Sequence, residues 1–195
     1  MLDVITNSIT SYLISNKAAK EEDRDVYKYG LAILLYNIFL VLFIVVLSFF
    51  LHNVIATILF IATLIIMRKY TGGHHANSRV KCFTTTVIIY TLTVIVNNFQ
   101  NIVPIQALVY GLLMISYVLM LMFAPICGEQ IQWSSKRMEY VKKCNRICLL
   151  VFIFIIICMS YLNWKTYVNY ISIAIIATSC SLVIERLKLR EGRKS

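Results

Sequence analysis

The sequence has few charged side chains and very few acidic ones. Charged residues make up 14% of the 195 positions, and only nine of them are aspartate or glutamate. None of the nine lies well inside a segment that is apolar enough to cross a membrane. Proton-coupled transporters and intramembrane aspartyl proteases place acids within the bilayer. The sequence therefore argues against both classes.

Metal and cofactor motifs are also missing. The three histidines are His52, His74 and His75, and no HExxH motif occurs, so we expect no catalytic zinc with three protein ligands. The six cysteines include no CxxC pair; Cys144 and Cys148 are i,i+4 neighbours, which is weak support for a redox pair. A glycine-rich phosphate loop is absent as well. We expect neither a metal nor a cofactor.

What the sequence does contain is long apolar runs. Hydrophobic residues make up 59% of the chain, and the mean hydropathy is +0.77. The runs are Leu31–Met67, Cys82–Phe123 and Ile147–Ile184, each 37 to 42 residues long. As one helix, each would extend about 55–63 Å, against a hydrocarbon core of about 30 Å. Each run is therefore predicted to form two spans.

Polar residues interrupt each run near its middle and mark the expected turns. They are His52-Asn53, then residues 97–101 with Pro104 just beyond, then Asn163-Trp164-Lys165. Six membrane helices follow, of which the second and third are short, near the lower limit for spanning.

The basic residues predict the orientation. Eighteen of the 19 lysines and arginines lie before Leu31, in two predicted loops (residues 68–81 and the loop that carries residues 136–146), or in the tail after Ile184. The three expected hairpin turns contain only Lys165. The positive-inside rule then places both termini in the cytoplasm. The net charge of +10 is explained by orientation, and nucleic acid is not an expected partner.

The amino end resembles an amphipathic helix, not a signal peptide. Leu2, Ile5, Ile9, Tyr12 and Leu13 recur at helical spacing. Such a helix either lies on the inner membrane surface or packs on the protein's own cytoplasmic face.

We therefore predict an all-α integral membrane protein with a single domain, residues 1–195. It comprises a cytoplasmic amphipathic segment (1–28), a core of about six transmembrane helices (31–184) and a basic cytoplasmic tail (185–195).

The segment from Arg68 to Cys82 combines two glycines, two histidines and a cysteine where the chain re-enters the membrane. A cysteine protease needs a thiolate and an imidazole that accepts and returns a proton. Nearby cations and a helix N-terminus at Cys82 would favour the thiolate. On one continuous helix, His75 and Cys82 would lie about 10.5 Å apart along the axis, so a dyad requires an irregular chain between them. Taken alone, the pattern leaves a structural role open.

The same segment resembles the accessory gene regulator B (AgrB) family of membrane peptidases. The family pattern is an arginine, then Gly-x-His-Ala, and a cysteine seven positions after the histidine. Arg68, Gly73, His75, Ala76 and Cys82 stand at those places, and Phe123-Ala124-Pro125 is also similar. The resemblance implies Cys82 as nucleophile and His75 as general base. Gly73 then serves backbone geometry, and Arg68 orients the loop, binds substrate carboxylates or contacts lipid headgroups.

The resemblance also implies a substrate and a reaction. The substrate is an AgrD-like pro-peptide with an acidic tail, removed through a Cys82 thioester as the signal segment closes into a thiolactone autoinducing peptide for quorum sensing. A homodimer in the bacterial cell membrane is implied too. Basic side chains are candidates for tail docking, with anionic lipid contact as the alternative: Lys136, Arg137, Lys142 and Lys143.

The sequence leaves open the roles of three further side chains in this segment and two alternative functions. His74 is a secondary candidate for the base, and Asn77 or Ser78 could orient the imidazole. A small non-enzymatic membrane exporter or channel explains the spans but not the Gly-Gly-His-His segment. A structural assembly subunit would tolerate loss of both His75 and Cys82.

Overall fold

The structure is a computed structural model that describes residues 2–16, 20–71, 79–126 and 134–192. Within these residues it contains seven α-helices and one 3-10 turn (Glu21–Asp23), with no β-strand, which confirms the all-α prediction. The helices are α1 (Leu2–Ser15), α2 (Arg24–Phe50), α3 (Val54–Thr71), α4 (Arg79–Asn98), α5 (Val103–Phe123), α6 (Ser135–Tyr161) and α7 (Lys165–Gly192).

Each apolar run folds into a helical hairpin, with its turn where the polar residues predicted it. The turns are residues 51–53, 99–102 and 162–164. In the first and third, His52 and Asn163 adopt left-handed conformations, with φ of 53° and 58°. Asn53 N–H donates to the Ser48 carbonyl (3.1 Å) and Trp164 N–H to the Met159 carbonyl (2.9 Å). These bonds satisfy carbonyls that the helix ends leave free, so each helix stops there.

Five helices, α2, α3, α5, α6 and α7, are long and apolar enough to cross a membrane. The sixth, α4, has the shorter apolar segment Cys82–Asn98. The helix α3 has only 18 residues, or about 27 Å. The second and third spans are thus the short ones, as predicted.

The last helix lies at the centre of the bundle. α7 packs on α3, α4, α5 and α6, and 56% of its apolar window is buried, against 17–33% for the other four long spans. One buried cluster joins α7 to α3, α5 and α6 around Ile175, and a second joins it to α2, α3 and α4 around Tyr170. Large exposed apolar side chains cover the outer helices, including Leu42, Ile58, Leu92, Leu108 and Phe154. Such a surface is suited to lipid and not to water.

Polar side chains also connect the helices inside the bundle. Gln106 Nε2 on α5 donates to Asn169 Oδ1 on α7 (2.9 Å). The hydroxyls of Thr57 on α3 and Tyr90 on α4 lie 2.9 Å apart. Side-chain hydrogen bonds of this kind help membrane helices associate, because lipid provides no hydrophobic drive between them.

The bundle has two distinct ends. We call the end that carries the three hairpin turns (residues 51–53, 99–102 and 162–164) the turn face. The opposite end, where α3, α5 and α7 finish and α2, α4 and α6 start, is the basic face.

At the basic face the helices continue beyond the apolar runs. Residues 136–146 were predicted as a loop, but they form the first turns of α6, which starts at Ser135. The chain after Ile184, predicted as a tail, continues α7 to Gly192. Lysine, arginine and glutamate are good helix formers, so charge ends the apolar run without ending the helix.

The amino-terminal segment is helical and packs on the start of α2. Thr6 and Thr10 of α1 are buried, and Arg24 Nη2 donates to Ser11 Oγ (3.0 Å). Of the two placements predicted for this helix, contact with the protein's own surface is present. Ile5 and Tyr12 stay exposed and are free to meet a membrane surface.

Candidate active site

Two of the residues singled out in the sequence meet at the basic face. Arg68 lies in the last turn of α3 and Cys82 in the first turn of α4. Arg68 Nη1 donates to Cys82 Sγ at 3.8 Å. Cys82 is a free cysteine, partly exposed. The guanidinium therefore lies where it can interact with negative charge that forms on or beside the sulfur during a reaction.

The neighbours of both residues are held firmly. Met67, next to Arg68, is fully buried among α5, α6 and α7 side chains, and its carbonyl accepts from Thr71 Oγ1 (2.8 Å). Phe83, next to Cys82, packs against Phe39 and Phe43 of α2, with ring centroids 6.1 and 5.5 Å away. The packing of the bundle therefore sets the distance between the guanidinium and the thiol.

The segment that follows α5 also contacts the end of α3, close to Arg68. Ile126 N–H, just beyond α5, donates to the carbonyl of Thr71 at the end of α3 (3.1 Å). Phe123, the last residue of α5, in turn contacts α7, because the guanidinium carbon of Arg186 lies 3.8 Å from the centroid of the Phe123 ring. The ends of α3, α5 and α7 are thus joined beside Arg68.

The remaining loop residues singled out in the sequence lie outside the described part of the chain. They are Gly73, His74, His75, Ala76, Asn77 and Ser78. The Cys82–His75 dyad and the geometric role of Gly73 stay predictions. For Arg68, the thiol contact is a partner that the sequence did not predict.

The basic candidates for tail docking are divided between two places on α6. Lys142 and Lys143 line a surface pocket of about 450 Å³ together with Glu139 and Arg146. Glu139 and Arg146 were not predicted there, although the spacing i, i+3, i+4 and i+7 places all four on one helix face.

Lys136 and Arg137 lie in the first turn of α6, outside that pocket. The backbone N–H groups at a helix N-terminus add positive partial charge to theirs, so this end of α6 attracts anions.

Tyr140 lies between these groups on the exposed surface of α6. A hydrogen bond with the Cys144 side chain is the main cause that raises the pKa of Tyr140 above its ordinary value of 10.0. Electrostatic interactions with Cys144 and Tyr70 raise this pKa further. A tyrosine is protonated at physiological pH even at its ordinary pKa, so the Tyr140 hydroxyl can donate a hydrogen bond at the basic face. Cys144 and Cys148, the weak redox candidates, are both free thiols.

The turn face carries a larger open cleft, far from Cys82 in the fold. Its volume is about 770 Å³. Amide, hydroxyl and aromatic side chains contribute to its lining, among them Asn53, Gln100, Asn163, Trp164 and Thr166. Within the described residues, no group of three histidine, cysteine or acidic side chains could hold a metal ion there or elsewhere.

The fold and the site together define a multi-pass α-helical membrane protein with an arginine-paired cysteine at one end of its bundle. The model of the accessory gene regulator B family, AgrB, matches residues 6–184, and the chain belongs to that family. The match runs from α1 through most of α7, which confirms the resemblance over nearly the whole chain. Membership associates the protein with the processing of quorum-sensing pro-peptides. No curated protein and no solved structure matched the chain significantly.

Proposed function

We propose that the protein is a membrane cysteine endopeptidase that removes the acidic tail of an AgrD-like pro-peptide. The observation that carries the proposal is the contact of 3.8 Å between Arg68 Nη1 and Cys82 Sγ, in a chain of this family. A buried structural cysteine has no need of a cation, whereas a nucleophilic cysteine is activated by one.

In this proposal Cys82 and His75 share the chemistry. The Cys82 thiolate attacks the carbonyl that precedes the tail, and a tetrahedral oxyanion forms beside the sulfur. The Arg68 guanidinium, already within 3.8 Å of the sulfur, is close enough to stabilise that developing charge. Protonated His75 gives its proton to the departing amine as the C–N bond breaks, and a thioester on Cys82 remains.

Cyclisation completes the reaction. A thiol within the signal segment attacks the Cys82 thioester, a new thioester closes the ring, and the Cys82 thiolate is released. One thioester replaces another and one proton returns to His75, so no nucleotide is consumed. The enzyme contributes by holding the internal thiol near the acyl carbon and limiting the access of water.

The pocket around Lys142 and Lys143 is the proposed docking surface for the acidic tail. Three cations and one acid surround it, and the N-terminus of α6 adds Lys136 and Arg137 at the same face. Such charges steer an acidic peptide towards the site and fix its register more than they add affinity.

The proposed setting is the bacterial cell membrane, with the basic face and both termini in the cytoplasm. Lysine and arginine concentrated at one face support this orientation under the positive-inside rule. A homodimer is proposed from the family resemblance alone.

A peptide exporter is the second candidate function. The cleft of about 770 Å³ on the turn face favours it, because an exit path needs an opening on the side opposite the basic face. An exporter without covalent chemistry would work without the Cys82 thiol.

The test uses the full-length protein in liposomes with an AgrD-like pro-peptide. Mass spectrometry follows the released tail and any acyl adduct on Cys82. We expect Cys82→Ala and His75→Ala to abolish tail release, and Cys158→Ala, which removes an exposed thiol elsewhere on the bundle, to retain it. Undiminished cleavage by Cys82→Ala would refute the peptidase and favour the exporter.

A further inference from the structure

We propose that Arg186 is a positioning residue for the thiol site. Through Phe123 and Ile126 it holds the last turn of α3, and with it the Arg68 guanidinium, opposite Cys82. The inference rests on the proposed function for its role in catalysis, but the contact that it explains is independent of the substrate.

The first link joins α7 to the end of α5. The guanidinium carbon of Arg186 lies 3.8 Å from the Phe123 ring centroid, a stacking distance for a planar cation on an aromatic face. Leu182, one turn earlier on α7, is fully buried. Arg186 therefore extends from the most firmly packed helix of the bundle.

The second link joins the end of α5 to the end of α3. Phe123 is the last residue of α5, and Ala124 follows it, buried, with its N–H bonded to the Met120 carbonyl (3.0 Å). Three residues after Phe123, Ile126 N–H donates to the Thr71 carbonyl (3.1 Å). That carbonyl is one of the four that the end of α3 cannot satisfy within the helix.

The third link reaches the thiol. Arg68 lies one helical turn before Thr71, and its Nη1 lies 3.8 Å from Cys82 Sγ. Hydrogen bonds to sulfur are long, so a shift of the last turn of α3 by about an ångström removes the contact. Without the Arg186–Phe123 stack, residues 123–126 are no longer held against α7, and the last turn of α3 can shift.

The shape of the arginine distinguishes this role from membrane orientation. In the positive-inside interpretation, any cation after Ile184 serves equally, and Lys188 and Arg190 lie on the same helix end. A stack on Phe123 instead requires the planar guanidinium, which lysine lacks. Arg186→Lys therefore keeps the orienting charge and loses the stack.

The experiment measures how fast iodoacetamide alkylates Cys82 as a function of pH, by mass spectrometry of the full-length protein in liposomes. We expect Arg186→Gln and Phe123→Leu to slow alkylation near neutral pH by about tenfold, the effect of losing a hydrogen bond to a charged group. The double variant should be no slower than either single one, because the two residues form one link.

Two variants serve as controls. Arg190→Gln removes a charge of the same helix end and should leave the profile unchanged. In Arg186→Lys, Cys82 should be alkylated clearly more slowly than in the wild type. An Arg186→Lys profile equal to that of the wild type would overturn the proposal, since charge alone would then suffice.

Cleavage of the pro-peptide supplies the second measurement. Arg186→Gln should lower kcat with little change in KM, because the docking pocket on α6 is intact. An unchanged alkylation profile in Arg186→Gln and Phe123→Leu overturns the positioning role, whatever the cleavage shows. If the alkylation profile shifts in these variants but the wild-type protein cleaves no pro-peptide, the positioning role is retained and the peptidase is refuted.

Discussion

At the scale of single residues, the guanidinium of Arg68 and the sulfur of Cys82 lie 3.8 Å apart although 14 positions separate them in the chain. The contact was not predicted, because the sequence shows a basic residue near a membrane boundary and lipid headgroups explain such a residue equally well. What gives Arg68 a specific partner is the packing of Met67 and Phe83 beside the two residues.

A substitution of Arg68 tests this contact. Arg68→Gln should lower kcat/KM for tail removal by about tenfold to a hundredfold, the loss expected when a hydrogen bond to a charged group disappears. Arg68→Lys keeps the positive charge but lacks the planar guanidinium, so its kcat/KM should lie between those of the wild type and Arg68→Gln. The measurement is tail release by mass spectrometry at several substrate concentrations. Activity of Arg68→Gln equal to that of the wild type would show that the contact has no catalytic role.

At the scale of the helices, α5 and α7 are tied by the bond from Gln106 to Asn169 in addition to their apolar contacts. Asn169 is fully buried, so its amide meets other side chains and not lipid. A buried amide between helices stabilises the pair only modestly, because the separated helices also find polar partners in the membrane.

A double-mutant cycle measures this bond. The substitutions Gln106→Leu and Asn169→Leu should show a coupling energy of about 0.6 kcal/mol and no more than about 1.7 kcal/mol. The free energy of unfolding is measured by denaturant titration in micelles. Thr91→Val, on the exposed surface of α4, changes a polar to an apolar side chain outside the interface and should have little effect on the free energy of unfolding. A coupling energy of zero would mean that the bond contributes no stability.

At the scale of the whole molecule, lysine and arginine collect at the basic face, and the acidic tail of the substrate is proposed to meet them there. The pocket of Glu139, Lys142, Lys143 and Arg146 is the part of that face with a defined shape. Charge pairs exposed to water are screened within about 8–10 Å in physiological salt. A docking role therefore predicts a marked dependence on ionic strength.

Reversal of two charges tests the docking surface. Lys142→Glu/Lys143→Glu should raise KM several-fold at low salt with kcat nearly unchanged, and the effect should shrink as salt is added. Lys165→Gln, at the turn face, removes a cation from the opposite end and is the matched control. If a pro-peptide with a neutral tail shows the same rise in KM, the lysines contact anionic lipid and not the tail.

Much of the fold follows from local properties of the chain. Run lengths, polar breaks and the positions of basic residues predicted the three hairpins and the short second and third spans. His52 and Asn163 could be placed at turns, but their left-handed conformation could not, because the sequence pattern marks polarity and not φ. The start of α6 at Ser135 was also not predicted, since charge ends a membrane segment without ending a helix.

By itself the sequence determined the class of the protein, its hairpins, its family and the thiol to test, because hydropathy, charge and a short motif are properties of individual segments. Only the tertiary structure decided that α7 is the central helix, that Arg68 meets Cys82, and that Arg186 covers Phe123. These are contacts between residues far apart in the chain. Their distances depend on how all the helices pack together, and no single segment carries that information.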